Sequence, residues 1–437
     1  MPRTLLVCAV ALECGFAGLL AVSPLRYAVV EAIAILIGSS AVYLIAVARD
    51  VKGSQWALWI VGWSVVLRLT AFAIPPDFTD DLYRYRWEAR LQEAGGNPYR
   101  TAPNDESAVG LRDATFDRIP GRDFRAVYGP MTELAYRLAF RAVAALTGDP
   151  WRQVFWLKLP GALGDLGVLA GLWWLLPAAG VPRERILVYA WCPLPVFEFW
   201  TNGHNDTLML VPLVCAFLAL ARGRAVSAFS LLATAVSAKV WPLALIPVFA
   251  GMRPGKWLAA LAVAPVIALW MSPFDWGLAG NAPFLSGFLG GWRNNDSLYG
   301  LLLWLTGDQY PAKYAAFGIV FGAIAWVTLK GEAASRGSLA VIVVMLLVSA
   351  NCHPWYLTWM LPLVAIHRSW GLLTWIALSP LFYLVLPRWF EAGEWNGSTP
   401  ERWAVYAPVF AVLVWEGRRS IGSSVRHLAH FRPLDRG

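Results

Sequence analysis

The chain has 437 residues, of which 58% are hydrophobic and only 15% are charged. A soluble protein would carry about a quarter charged residues, so the composition excludes an ordinary soluble enzyme. The net charge of +8 comes from 36 basic and 28 acidic residues. In so apolar a chain we attribute this charge to cytoplasmic loops and anionic lipid headgroups, and we expect no nucleic-acid partner.

Apolar runs of about 17–25 residues recur along nearly the whole chain, and each is long enough to cross a bilayer as a helix. We therefore predict an all-α fold, a polytopic transmembrane helical bundle of about 13–14 spans, as a single integral membrane domain over residues 1–437. The first run is interpreted as a retained helix and not as a cleaved signal peptide. The predicted spans are 5–23, 27–47, 54–75, 153–177, 186–201, 205–222, 225–239, 240–252, 256–273, 312–330, 337–352, 354–368, 370–388 and 403–417.

Short loops rich in Lys and Arg indicate the cytoplasmic side of a membrane protein. One consistent alternation of spans places the basic loops at 49–52, 183–185, 222–224, 253–256 and 330–336 in the cytoplasm, with the basic tail. The extracytoplasmic face then carries two loops, 76–150 and 274–311, and two short polar turns at 202–206 and 352–356. Glu133, Arg137 and Arg141 recur at helical spacing in 131–146, so we interpret that stretch as an amphipathic helix in the outer interface.

The first of these loops opens with a charged and aromatic segment, PPDFTDDLYRYRWEARLQEAGGNPY, at residues 75–99. Side-chain oxygens of Thr79 or Asp80 can cap a new helix there, and Gly95 with the glycine after it would end that helix. On such a helix Asp80, Arg84 and Glu88 lie one turn apart on one face. The simplest interpretation is a capped interfacial helix with a ladder of ion pairs. A second aspartate, Asp81, is not needed for capping and favours a chemical role.

Four stretches together resemble a known family. They are DDLYRYRWEARLQEAGGNPY at 80–99, YGP at 128–130, GHND at 203–206 and HPWYLTWMLP at 353–362. The chain resembles bacterial membrane glycosyltransferases of the GT-C superfamily, of the polyprenyl-phosphomannose-dependent mannosyltransferase type. It departs from that pattern at Glu88-Ala89, where an acid followed by glycine is expected.

The resemblance implies many transmembrane helices, a lipid-phosphate sugar as the donor, and an acidic residue of the first external loop as the catalytic base. That base maps to Asp80 or Asp81, with Asp80 slightly favoured and both left open. Sugar transfer from a phosphate needs one base for the acceptor hydroxyl and cations for the phosphate. A glycosidase would instead need two carboxylates at a set separation.

Further polar and aromatic residues are candidates for binding the donor or the acceptor. Each also has a structural interpretation, such as a helix cap, a snorkelling lysine or an interfacial aromatic belt. The candidate substrate-binding residues are Arg84, Tyr85, Arg86, Glu88, His204, Asn205, Asp206, Lys239, Arg293, Asn294, His353, Trp355 and Tyr356. Inside the predicted spans, Lys158 and Asp165 are expected to pair, and Arg68 is expected to reach toward the external side.

The sequence therefore predicts an inverting membrane glycosyltransferase of the cell membrane, with its active site on the extracytoplasmic face. It would move a sugar, mannose by the resemblance alone, from a polyprenyl-phosphate donor to a lipid or glycan acceptor. No zinc spacing or phosphate-binding loop is present, so we expect no required cofactor, although a divalent metal could bridge the aspartates and the donor phosphate. The alternative is a multi-pass transporter or flippase of a lipid-linked sugar.

Overall fold

The computed structural model describes residues 3–49, 51, 53, 55–271, 292–393 and 399–429. Within these ranges the chain forms α-helices joined by loops and short 3-10 turns, without a β-strand. A single parallel bridge joins Asn294 to Asn351. The predicted all-α fold is confirmed. Residues 274–291 of the predicted second external loop lie outside the described residues.

The α-helices follow one another along the whole described chain. In order they are α1 (Arg3–Ala21), α2 (Val29–Ala48), α3 (Gln55–Ala73), α4 (Asp81–Glu93), α5 (Pro130–Ala144), α6 (Pro150–Trp156), α7 (Leu159–Ala178), α8 (Leu187–Ala190), α9 (Pro193–Val196), α10 (Asp206–Ala221), α11 (Ala225–Ala238), α12 (Ile246–Ala250), α13 (Pro254–Ala260), α14 (Ala264–Met271), α15 (Leu298–Thr306), α16 (Gln309–Leu329), α17 (Ala334–Leu347), α18 (Leu361–Ile366), α19 (Trp370–Leu378), α20 (Leu386–Ala392) and α21 (Thr399–Ala429).

Six helical segments of the described chain are long and apolar enough to cross a membrane. They are Arg3–Ala21, Val29–Ala48, Gln55–Ala73, Pro150–Ala178, Gln309–Leu329 and Trp370–Ala392. Shorter apolar helices occupy the predicted spans between 205 and 273 and that at 337–352. The predicted span at 186–201 is instead broken into α8, α9 and a π-turn, because Pro193 and Pro195 cannot continue the backbone hydrogen-bond ladder.

Close packing of α7 against α10 fixes the turn that precedes α10. Side chains of α10 lie where a Cβ atom on the α7 glycines would stand: Thr207 faces Gly164, and Val211 faces Gly167. Small residues let two helix backbones approach, which is the usual way for helices to pack in a membrane. Because α7 starts beside the charged segment at 75–99, this packing brings residues 202–206 to the same end of the bundle.

A separate lobe stands at that end, formed by α4, α5, α6 and the loops between them. Its own apolar core includes Leu82, Trp87, Tyr136 and Phe140. The predicted amphipathic helix at 131–146 is confirmed as α5, which packs on α4. Its charged residues contact α4 as well, since the guanidinium groups of two α5 arginines bind Glu93.

The two ends of the bundle carry the two sets of loops that the basic-residue pattern separated. Helix α3, of 19 residues, runs from the loop after α2 to the charged segment at 75–99. At its first end, Arg49, Arg185 and Arg368 line one small cavity. The segments predicted to be external meet at its other end. The grouping agrees with the predicted alternation of loops.

Two predictions about charges inside the bundle are wrong. Lys158 does not pair with Asp165, because its ammonium donates to the backbone carbonyls of Phe72 and Ile74, at the end of α3. Arg68 does not reach outward: its Nε donates to Asp165 Oδ2 at 2.5 Å, and both side chains are fully buried. A buried carboxylate attracts the nearest guanidinium from another helix in preference to a lysine on its own helix that has carbonyl partners.

Candidate active site

The two adjacent aspartates at the start of α4 have different local positions and contacts. The backbone N–H of Asp81 donates to the Thr79 hydroxyl at 3.1 Å, so Thr79 supplies the cap, and the Asp80 side chain makes no capping hydrogen bond. Asp80 is thereby released for a tertiary contact, while Asp81 occupies the first helical position. At the other end, Gly95 has φ +83°, a conformation that favours glycine, and α4 ends there as predicted.

Asp80 is held in an ion pair. The Nε and Nη2 atoms of Arg118 donate to its Oδ1 at 3.0 and 2.6 Å, and the indole of Trp389 approaches Oδ2 at 3.4 Å. The expected ladder from Asp80 to Arg84 does not form. Both carboxylate oxygens of Asp80 are therefore occupied by protein donors.

Asp81 has a different environment. Its Oδ2 accepts a hydrogen bond from the Tyr85 hydroxyl at 3.2 Å, and that hydroxyl lies 3.4 Å from the Tyr128 hydroxyl. Burial raises the pKa of Asp81 to about 6, and the Tyr85 hydrogen bond and Lys239 oppose that rise. Its side chain is 29% exposed. A carboxylate whose pKa lies near the working pH suits a general base.

Both aspartates border one large cavity, with a volume of about 1020 Å³. Its walls come from the start of α4, the loop at 120–128, residues 238–241, residues 292–295, the segment 351–359, residues 386–390 and Arg402. Tyr85, Tyr128, Trp355 and Tyr356 give this cavity aromatic faces. Ring faces together with carboxylates are suited to hold a sugar.

A pair of arginines lies on another wall of the same cavity. Arg293 donates from Nε and Nη2 to the two Asp296 oxygens at 2.8 and 2.9 Å, and Arg402 Nη1 donates to Oδ1 at 2.5 Å. Asp296 is buried, so it fixes both guanidinium groups and leaves one net positive charge beside the cavity. Asn294 lines the same wall and is anchored through Asn351. Guanidinium groups held in this way can bind a phosphate.

Lys239 lines the cavity but already has an acidic partner. Its ammonium donates to Asp206 Oδ1 at 2.6 Å, and the Trp359 indole donates to the same oxygen at 2.5 Å. The ammonium also lies 5.4 Å from the Tyr128 ring centre and 5.9 Å from that of Tyr356. Asp206 therefore ties Lys239 to Trp359, which lie on two different wall segments, so a phosphate would compete with Asp206 for this lysine.

The histidines stack on one tryptophan. Trp355 lies between His204, at 4.0 Å, and His353, at 4.5 Å between ring centres. His353 lines the cavity, whereas His204 and the adjacent Asn205 are buried behind the wall. Burial lowers the pKa of His204 well below its usual value, so its ring is neutral.

Two further candidates lie in the lobe, away from the cavity. Arg86 is buried in the lobe, where it binds Gln153, Asp113 and the Thr115 hydroxyl. Glu88 is buried, and its carboxylate accepts a hydrogen bond from Arg84 Nε at 2.6 Å. Both stabilise the lobe. Arg84 borders the cavity, and its Nη atoms donate to the carbonyls of Gly121 and Phe124, which holds the wall loop in place.

Sequence reasoning missed three arginines that border the aspartates or the cavity: Arg118, Arg125 and Arg402. Arg125 lines the cavity on the 120–128 loop. The only available signal was that their segments fall on the predicted external side. Among the described residues no group of three or more His, Cys, Asp or Glu could hold a metal ion.

Comparison with known proteins identifies the family of the chain. The model of the MptA_B family, described as alpha-(1->6)-mannopyranosyltransferase, N-terminal domain, matches residues 9–254, which include both aspartates and the GHND turn. No curated protein and no solved structure gives a significant match. The family match covers more than half of the chain. The chain belongs to this mannosyltransferase family and is a multi-pass membrane glycosyltransferase.

Proposed function

We propose that the protein transfers mannose from a polyprenyl-phosphate mannose to an acceptor hydroxyl at the extracytoplasmic face, with inversion and with Asp81 as the general base. The observation that carries this proposal is the cavity itself. It holds a carboxylate with a pKa of about 6 and a pair of fixed guanidinium groups within one enclosure. Such a site can activate a hydroxyl and bind a phosphate at the same time.

The choice of Asp81 over Asp80 rests on their partners. Asp80 is neutralised by Arg118, whereas the Asp81 carboxylate meets a phenol. A base must reach the acceptor hydroxyl in the transition state, and the Asp80 oxygens are occupied by Arg118 and the Trp389 indole. Asp80 would then hold Arg118 and the start of α4 in place.

Arg293 and Arg402 are the proposed ligands of the donor phosphate. The phosphate leaves with the electron pair of its bond to the anomeric carbon, so the charge on its oxygens grows in the transition state. Two guanidinium groups preorganised by Asp296 can stabilise that charge without reorganising. Apolar wall residues such as Val240 and Phe390 would contact the lipid tail.

The extracytoplasmic placement rests on the charge pattern of the loops. The wall segments at 78–85, 120–128 and 292–295 belong to the two predicted external loops, and the segment 351–359 overlaps the predicted external turn at 352–356. Arg49 and Arg185, at the opposite end, belong to predicted cytoplasmic loops. The family description supports an α-(1→6) linkage, and the lipid or glycan acceptor stays a prediction from the sequence. A transporter of lipid-linked sugars, the alternative from the sequence, would form no glycosidic bond.

The test compares Asp81→Asn with Asp80→Asn in membranes supplied with labelled polyprenyl-phosphate mannose and an acceptor extract. We expect Asp81→Asn to lose about a thousandfold in transfer, the usual range for a general base. Asp80→Asn should lose far less per folded molecule. Equal transfer by Asp81→Asn and the parent protein would refute the assignment. Impermeant labelling of a cysteine placed at position 100 tests the face, since labelling from the cytoplasmic side alone would overturn it.

A further inference from the structure

His204 is a buried imidazole without a hydrogen bond in the described chain. Its side chain is 1% exposed, and neither ring nitrogen makes a hydrogen bond to the described residues. A buried polar atom left unpaired costs about 1–3 kcal/mol, so such an atom in a folded protein calls for an explanation. The Trp355 ring covers one face of the imidazole, and His204 does not line the cavity. It therefore reaches the chemistry through another residue.

Each ring nitrogen of His204 faces a carboxyl group. Nδ1 lies 3.9 Å from Asp81 Oδ2, and Nε2 lies 3.5 Å from Glu198 Oε2. The backbone N–H of His204 donates to the Glu198 carbonyl at 2.9 Å, which fixes the two residues relative to each other. A movement of about 1 Å brings the Asp81 contact into hydrogen-bond range. Hydrogen bonds of this kind are often long without substrate and shorten when substrate binds.

We propose that Glu198 and His204 form a buried hydrogen-bonded chain that orients the Asp81 carboxylate and keeps it ionised. The Glu198 carboxylic acid donates to Nε2, which places the ring proton on Nδ1, and Nδ1–H donates to Asp81 Oδ2. His204 and Glu198 are positioning residues, since they act through Asp81. This inference rests on the proposed role of Asp81 as the base.

The proton positions follow from burial. Glu198 is fully buried, and its oxygens accept hydrogen bonds from two neutral groups, the Tyr383 hydroxyl at 2.7 Å and the Asn202 amide at 3.0 Å. A charge without a cationic partner is very costly at such a place, so a neutral acid is the favoured form. Asp81 borders the cavity, where water and the substrate can solvate its charge. The negative charge of the chain therefore stays on Asp81.

In this arrangement Asp81 takes up the proton that the acceptor hydroxyl loses during transfer. The acceptor O–H bond breaks as its oxygen bonds to the anomeric carbon, and the proton passes to the outer oxygen of Asp81. The bond between that carbon and the phosphate oxygen breaks, and its electron pair stays on the phosphate. The Nδ1 proton remains on His204 throughout. A hydrogen bond to an ionised carboxylate favours the ionised form, so loss of the His204 donor raises the pKa of Asp81.

The test is the pH dependence of transfer by the purified full-length protein, with a short-chain polyprenyl-phosphate mannose as the probe. Several other titratable groups act on Asp81 and stay unchanged in the variants. They are Asp80, Tyr85, Tyr128, Tyr136, Asp206, Lys239, Tyr356 and Tyr383. The variants are His204→Ala, His204→Gln and Glu198→Gln, and Thr201→Val serves as a control, because its buried hydroxyl lies in the same turn and binds a carbonyl.

We expect His204→Ala to move the acid limb of kcat/KM upward by about one pH unit, the effect of one hydrogen bond to a charged group. The transfer rate should fall about 10-fold or more, as for other residues that orient an active group. His204→Gln keeps an N–H donor, so its acid limb should lie at least halfway back from the His204→Ala position to that of the parent protein. Glu198→Gln mimics the neutral acid and should keep both the limb and most of the rate. Thr201→Val should change stability without moving the limb.

An unmoved limb in His204→Ala and His204→Gln, both folded by their thermal unfolding, would overturn the inference. If His204→Ala does not fold, Glu198→Gln decides: a Glu198→Gln protein that is folded but inactive overturns the inference. Asp81→Asn separates this failure from that of the proposed function. If Asp81→Asn retains transfer, the base assignment itself fails. If Asp81→Asn is inactive and the histidine variants behave as the parent, only the buried chain is refuted.

Discussion

An aspartate buried inside the bundle, Asp165, and an aspartate at the cavity, Asp81, differ in how completely they are paired. Inside the bundle, Asp165 accepts hydrogen bonds from Arg68 at 2.5 Å, from Tyr189 at 2.7 Å and from Trp200 at 2.8 Å. At the cavity, Asp81 accepts one from Tyr85 at 3.2 Å, and His204 stands 3.9 Å away. The first carboxylate is fully satisfied by the protein. The second retains the capacity to bind something else.

The degree of pairing distinguishes a carboxylate that stabilises the fold from a carboxylate that can react, and it does so better than burial alone. A polar network that is satisfied throughout rigidifies a fold, whereas a partly satisfied group is strained and reactive. The cluster around Asp165 ties three segments of the bundle together. The environment of Asp81 instead costs stability, and the role that we propose for it as a base accounts for that cost, a compromise that is common at active sites.

The largest expected effect is on stability, from Asp165→Asn. The change leaves Arg68 as a buried cation without its carboxylate, which costs about 3–5 kcal/mol. Thermal unfolding in detergent should fall strongly, with no specific effect on the pH profile of the molecules that remain folded. The double variant Arg68→Met with Asp165→Leu removes both charges and should recover most of that loss. An Asp165→Asn protein as stable as the parent would contradict the structural role of Asp165 and its contrast with Asp81.

A smaller effect is expected at the arginine pair. Arg402→Gln and Arg293→Gln each remove a guanidinium beside the cavity, and we expect the KM for the donor to rise about 10- to 30-fold, the value of one hydrogen bond between charged groups. Arg388→Gln is the matched control, because its exposed pair with Glu401 lies nearby. An unchanged KM in both cavity variants would move the phosphate site elsewhere. Asp296 would then be a satisfied structural carboxylate like Asp165.

The sequence predicted the parts of this architecture that depend on local pattern. Apolar runs located the helices, the basic loops grouped the two ends, and Gly95 marked the end of α4. The sequence could not predict partners that are remote in the chain. Arg118 reaches Asp80 from 38 residues away, and Arg402 reaches Asp296 from 106 residues away. Such pairs depend on loop packing, which no local periodicity encodes.

The same limit explains why the slight preference for Asp80 over Asp81 from the sequence is not the choice we propose. The two residues are adjacent and chemically identical, so any difference between them must come from tertiary neighbours. The Thr79 cap frees Asp80 to turn toward Arg118, and the first turn of α4 directs Asp81 toward Tyr85.

Asp81→Asn should stabilise the fold at neutral pH, in contrast to Asp165→Asn. The pKa of Asp81 is raised from 3.8 to about 6 in the folded protein, so its ionised form opposes folding. That cost is absent below about pH 4 and grows as the pH rises toward 6. We expect a gain of about 1–2 kcal/mol at pH 8, after allowance for partial exposure, and none at pH 4. A destabilised Asp81→Asn at pH 8 would mean that Asp81 is a structural group.

The rate of transfer should follow the ionisation of Asp81. A base works only in its ionised form, so kcat/KM should rise through pH 6, reach half of its plateau there and stay level toward pH 8. The donor is a phosphodiester and has no group that titrates in this range. The residual transfer of Asp81→Asn should lack this limb. A profile that rises only near pH 4 would instead indicate an ordinary, solvated carboxylate.

The smallest expected effect is that of chelation, and it bears directly on why Asp81 differs from Asp165. If a divalent ion bridged the aspartates in the working enzyme, Asp81 would also be fully paired, and the contrast would vanish. Mg²⁺ and Ca²⁺ bind through several oxygens at once, usually with one or more carboxylates. Here Asp80 is committed to Arg118, and among the described residues its neighbours form no group of three potential metal ligands. We therefore expect transfer to change by less than about twofold after EDTA, since the cations that the phosphate requires are supplied by arginines. A large loss that added Mg²⁺ or Mn²⁺ restores would assign the open side of Asp81 to a metal, and Asp80→Asn should then weaken that metal's binding.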